Sequence, residues 1–158
     1  MVVIKMKRDT YGGLAYLKNA LNYLEDNEKS LFTGGFGVTT SPLEATYRQM
    51  LAVRKYFGKV SGNPLMHFIV SFDEKVVTKD QAVYLASQLT NFFSNRYQGV
   101  WCVHFKQRGC SNFHVHIVIN SVSFVNGKMY HSSAAEIARF AHCVEVILKT
   151  PVRWFFEE

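Results

Sequence analysis

Two histidines one residue apart, His114-Val115-His116, sit inside the run Phe113 to Asn120, in which every odd-numbered position is apolar. A period of two predicts a β-strand, because successive strand side chains point to opposite faces of a sheet. Phe113, Val115, Ile117 and Ile119 then share one face, and His114, His116, Val118 and Asn120 share the other. The same partition recurs twice. Over 99–105, Trp101, Val103 and Phe105 stand opposite Cys102 and His104; over 66–72, Phe68, Val70 and Phe72 stand opposite His67 and Ser71. If the apolar faces meet helices, four of the six histidines converge on the far side of one sheet.

The rest of the chain supplies those helices. Leu14, Leu17, Leu21 and Leu24 form one buried stripe over 13–25, and Pro42, after Ser41 as cap, opens a helix reaching to about Phe57. Thr78-Lys79-Asp80-Gln81 and Ser133-Ala134-Ala135-Glu136 are capping boxes. They start helices whose stripes are Ala82, Leu85, Leu89, Phe92 and Phe93, and Ile137, Phe140, Ala141, Val144 and Leu148, the latter stopped by Pro151. Residues 2–7 read as a short strand, 33–37 as a flexible link beside one, and Asn126-Gly127 as a tight turn. Consecutive strands are close enough to pair as hairpins. This predicts an α+β fold in one domain over 1–158: a largely antiparallel central sheet with helices packed on one face.

Charge and composition narrow the function classes. Apolar residues at 48% against charged residues at 19% describe a globular chain, not a disordered one. Three cysteines without C-x-x-C spacing argue against a disulfide scaffold or a zinc knuckle. The apolar run at the N-terminus is too short for a signal peptide and none approaches the ~18 residues of a spanning helix, so a cytoplasmic protein without membrane insertion is expected. The net charge of +6 is compatible with a polyanionic partner. Its most one-sided stretch is Arg48, Arg54, Lys55 and Lys59; with Lys106 and Arg108 in the loop before Asn112, these are the candidate DNA contacts.

Histidine-x-histidine on a strand aims two imidazoles at one ion, and a third from a neighbouring strand completes a facial triad with positions left for substrate oxygens. His104, His114 and His116 are therefore the candidate metal ligands. His67 reads as a core histidine bonded to a neighbour, and no role is assigned to His131 or His142.

The segment His114 to Val122 resembles the His-hydrophobe-His motif of HUH endonucleases, and more narrowly of the mobilisation relaxases of plasmids and integrative conjugative elements. The likeness continues through Asn19 to Lys29, similar to the family's N-terminal tyrosine motif with a lysine six residues on. It includes His67 to Phe72, similar to its second motif, and Val125-Asn126-Gly127-Lys128 followed by Tyr130-His131, similar to the turn after the metal strand. The resemblance implies an HUH/RRM-like sheet and a nuclease that nicks one DNA strand at a transfer origin. Tyr23 would be the nucleophile, keeping the 5′ end as a phosphotyrosine, and a divalent ion (Mn²⁺ or Mg²⁺ first, with Zn²⁺ also compatible) would sit on the three histidines. Lys29, Ser71 and Asn120 would support the site. On a helical wheel Tyr23 lies about 140° from the leucine stripe, so its hydroxyl is not committed to the core; Tyr11 and Tyr16 are its rivals.

The chain departs from the family in one spacing. His114 follows His104 by ten positions, not about seven, and the acid that ordinarily follows the first ligand is absent. Such acids orient an imidazole and raise its basicity. No helicase or primase follows, so strand separation and delivery are expected of accessory relaxosome proteins, a helicase and a type IV secretion coupling protein. Two other readings remain: a degenerate relaxase that holds single-stranded DNA without cutting it, and an HUH transposase or replication initiator. The latter place their tyrosine after the histidine pair, where this chain has Tyr130 alone.

Overall fold

A computed structural model describes residues 1–7, 14–25, 30–105 and 112–157, without the side chains of residues 14–16 and 25. Its elements in chain order are β1 (Val2–Lys7), α1 (Leu14–Glu25), β2 (Ser30–Phe36), α2 (Leu43–Tyr56), β3 (Leu65–Ser71), α3 (Lys79–Leu89), α4 (Asn91–Ser94), β4 (Gly99–Phe105), β5 (Phe113–Asn120), α5 (Ala134–Leu148) and β6 (Val152–Glu157). Six strands form one sheet in the order β2-β4-β5-β3-β1-β6. Every neighbouring pair is antiparallel except β1 with β6, which is parallel. The α+β class and the largely antiparallel sheet are as expected.

The odd-numbered side chains of β4 and β5 and the even-numbered ones of β1 and β3 enter one continuous core. There Ile4, Phe68, Val70, Val103, Val115 and Ile117 pack against Ala86, Leu89, Phe93, Ile137, Phe140 and Val144 of α3, α4 and α5. Thr78 caps α3 in both directions, accepting from Gln81 N at 3.1 Å while Gln81 Oε1 accepts from Thr78 N. The box at Ser133 is only half formed. Ser133 Oγ accepts from Glu136 N, but the Glu136 carboxylate is drawn to Arg96 and Arg139, at 3.3 and 2.7 Å. Pro42, not Ser41, holds the N-cap position of α2, with no side-chain cap. Gly127, at φ 73°, makes the turn expected at Asn126-Gly127.

The expectation that helices share one face holds for α3, α4 and α5. The leucine stripe of α1 goes to the opposite face, where Leu17, Leu21 and Leu24, all fully buried, join Met50 of α2 on Leu65, Val100, Cys102 and Val118. Each such leucine contributes roughly 1.5–3 kcal/mol by leaving water. Helical period shows that a stripe is buried; it does not say against which side of a sheet. Of the segment at 33–37, residues 33–36 are not a link but the larger part of β2, whose Gly34 lies under the Trp101 indole, where any Cβ would collide with the ring.

Candidate active site on the histidine face

Strand register decides what α1 and α2 leave uncovered. His104 is the cross-strand partner of His114, and His116 that of Cys102 on one side and Ile69 on the other. Ser71 lies opposite His114, and His67 opposite Val118. Because all these side chains leave the sheet on the same side, the imidazoles are forced together. Ring centroids are 4.5 Å apart for His104 and His116, 5.1 Å for His114 and His116, and 5.4 Å for His104 and His114.

One ligand nitrogen from each of these three rings lies within 4.8 Å of the others. Two nitrogens bonded to one ion at roughly 2.1 Å can be no more than about 4.2 Å apart, so a small inward turn of the rings brings the set to coordination distance. Three imidazoles also match the chemistry of a divalent transition ion. The donor set therefore fits a metal.

His67 is where reading the sequence saw least. It is buried, as expected of a core histidine, but its Nε2 lies 2.9 Å from Nδ1 of His116. That contact occupies one nitrogen of His116 and leaves Nε2 for an ion. For Nε2 to ligate, Nδ1–H must donate to His67, which then carries its own proton on Nδ1. His67 thus orients a candidate ligand, as a carboxylate commonly does. The signal available was its place on the histidine face two strands from His104.

Burial keeps His67 and His116 neutral. Desolvation, reinforced by the charge of Lys7 and by His104, lowers the pKa of His67 to about 3. Desolvation, then the neighbouring His67, His104 and His114, and finally Lys7, lowers that of His116 to about 2. A neutral imidazole is the form that binds metal.

Tyr23 stands at the edge of this cluster. Its position off the leucine stripe leaves the side chain 53% exposed. The ring is edge-on to that of His116, with centroids 6.1 Å apart and planes at 73°. Tyr23, Ser71, His114 and His116 line a cavity of about 320 Å³ together with Lys5, Lys7, Ile69 and Glu157. The two lysines were not foreseen; alternation of β1 placed them opposite Val2, Ile4 and Met6, with no sign that this face adjoined the histidines.

Other sequence candidates lie elsewhere. Arg54 is a correction: it is fully buried, with Nη1 donating to Ser121 Oγ at 2.9 Å and to Pro64 O and Asn120 Oδ1 at 3.3 Å, so it cannot contact DNA. Asn120 is a correction of the same kind. On the predicted face but beyond Val118, it is fully buried and donates from Nδ2 to Met50 O and Gln98 Oε1, serving packing and not the site. Arg48, Lys55 and Lys59 are exposed on and after α2 and do not line the cavity, and Arg48 pairs with Glu44 at 3.5 Å. Lys29, Lys106, Arg108 and the rival Tyr11 lie outside the described residues, as does the side chain of Tyr16.

Residues 16–150 match the family model "Relaxase: MobA/VirD2-like, nuclease domain". The chain belongs to this relaxase family. The matched span includes Tyr23 and all four clustered histidines of the relaxase domain, and stops short of β6. No curated protein matches the chain significantly. Membership carries a DNA substrate with it. Among the described residues of the relaxase domain, no helix is long and apolar enough to cross a membrane.

Proposed function

We propose that this relaxase domain nicks one strand of DNA at a transfer origin through a covalent tyrosine intermediate. Tyr23 Oη attacks the scissile phosphorus and forms a P–O bond, and the bond from phosphorus to the 3′ oxygen breaks. The phenolic proton is given up, the departing 3′ oxygen takes one, and the 5′ end stays on Tyr23 as a phosphodiester. Attack by a 3′-hydroxyl reverses the step. His104, His114 and His116 would hold a divalent ion, Mn²⁺ or Mg²⁺ first and Zn²⁺ also compatible. Bound there, it supplies positive charge to the phosphate oxygens.

The residues of the chain do the positioning. His67 holds His116 by the Nδ1 contact, and α1, seated on its leucines, presents Tyr23 toward the same ring. Ser71 lines the cavity and would donate its hydroxyl to a substrate phosphate. Lys7 lines the same cavity and adds a cation that attracts the phosphate. Lys29 keeps a supporting role by motif alone. Residues 1–158 would act as one nuclease domain, with strand separation and delivery left to accessory relaxosome proteins, a helicase and a type IV secretion coupling protein.

The observation that carries this reading is the edge contact between Tyr23 and an imidazole of a three-histidine cluster. The test is a nicking assay on single-stranded origin DNA with Mn²⁺, wild type beside Tyr23→Phe, with the protein–DNA adduct mapped by mass spectrometry. A 5′-phosphotyrosine at residue 23, absent from the variant, is expected. DNA binding without cleavage under any divalent ion would replace this reading with that of a holding protein.

A further inference from the structure

The sheet register continues the site outward into a surface that the nicking reaction as described does not use. On the histidine face, one row across the strands runs Cys102, His116, Ile69, Lys5, Phe155, and the next runs His104, His114, Ser71, Val3, Arg153. The α1 and α2 leucine cluster sits on β4, β5 and the start of β3, and among the described residues it leaves the β1–β6 end of both rows uncovered. Trp154 and Phe156 turn to the opposite face and pack on the main core, which fixes Phe155 on this one. Its ring is 40% exposed among polar neighbours, with Lys5 Nζ 5.8 Å from the ring centroid.

We propose that Phe155 is a stacking platform for a base next to the scissile phosphate, flanked by Lys5 and Arg153 as phosphate contacts. This rests on the relaxase reading above. With strands about 4.8 Å apart, Lys5 lies two strands from His116, roughly 10 Å, and Phe155 three, roughly 14 Å. A strand of DNA whose phosphate is held at the histidines thus reaches Lys5 and Phe155 within its next one or two nucleotides. The third row, Val118, His67, Lys7, Glu157, sets an acid opposite a base, so net positive charge on β1 and β6 concentrates on the two rows that contain the ligands. An exposed aromatic ring beside two cations is the combination that binds unpaired bases with little sequence preference.

The experiment is fluorescence anisotropy of a labelled oligothymidylate in EDTA, where no nicking occurs. Phe155→Ala should weaken binding roughly tenfold, and Phe155→Tyr, which keeps the ring, should restore it. Lys5→Ala should lower the slope of log affinity against log salt by about 0.7. Unchanged binding in Phe155→Ala and Lys5→Ala, beside intact Tyr23-dependent nicking, overturns the platform and leaves the relaxase reading standing. Failure of Phe155→Tyr to restore binding overturns the stacking role. A wild-type protein with no affinity for the oligonucleotide overturns both.

Discussion

Two polar clusters occupy the same face of β5, four residues apart, and they are built on opposite plans. At Asn120 the polar groups pair inward: its amide donates to Met50 O and Gln98 Oε1, and its carbonyl accepts from Arg54, which also reaches Pro64, Ser121 and Ser61. At His116 one nitrogen is fixed by His67, and the remaining imidazoles converge beside a cavity that Tyr23 also lines. Both clusters are buried and both came from one alternating strand. What separates them is their setting: the Asn120 cluster is enclosed by backbone and side-chain groups of the protein, while the His116 cluster borders a cavity. A polar residue on the right face is thus only half an argument for function.

The contrast can be broken most forcefully by removing a candidate ligand. His114→Ala should cut Tyr23-dependent nicking by roughly 10³-fold or more with little change in the urea midpoint; a comparable loss of stability would make the two clusters alike. Arg54→Ala should do the reverse. Stranding several buried acceptors costs about 3 kcal/mol, read as a lower urea midpoint, while protein that remains folded still nicks. His67→Ala should weaken Mn²⁺ or Zn²⁺ binding roughly 10- to 100-fold in calorimetry, because His116 loses its orienting partner.

The pH dependence follows from the depressed pKa values of His67 and His116, about 3 and about 2. Above pH about 6.5 neither ring holds a proton in the folded or the unfolded chain, and the fold keeps its full stability. Below that, the unfolded chain binds protons the folded one refuses. Stability of the metal-free protein should fall by up to about 1.4 kcal/mol per pH unit for each ring, until the folded values are reached. Thermal melts from pH 8 to 4 would show it, and a flat profile in wild type would deny the burial. The smallest effect sharpens the baseline: Thr78→Ala, far from both clusters, should cost about 1 kcal/mol and leave nicking untouched.

Much of this is legible in the sequence. Period-two alternation located β4 and β5 to within a residue, and capping chemistry located the start of α3, because both signals are local. The histidine cluster was legible too, since parity alone puts His104, His114 and His116 on one side. Arg54 was misread because a cation in a basic stretch looks solvated, and nothing local reveals that α2 turns it toward Asn120. The covering of the histidine face by α1 went unread for a related reason: choosing a side of the sheet is a long-range decision. Strand β6 went unread entirely, although Trp154 and Phe156 alternate with Arg153, Phe155 and Glu157, because its partner lies at the other end of the chain.

That pairing has a bearing on how the protein is made. Val2 meets Val152 and Lys7 meets Glu157, so β1 leaves the ribosome well before β6 and stays unmatched on that side until β6 has emerged. Such a distant closure is slow in entropic terms, and meanwhile an apolar ribbon of Val2, Ile4 and Met6 offers its unbonded edge to other nascent chains. Expression trials that trim the protein ahead of residue 152 should therefore yield inclusion bodies in place of a smaller working enzyme, with pelleted against soluble yield as the measure.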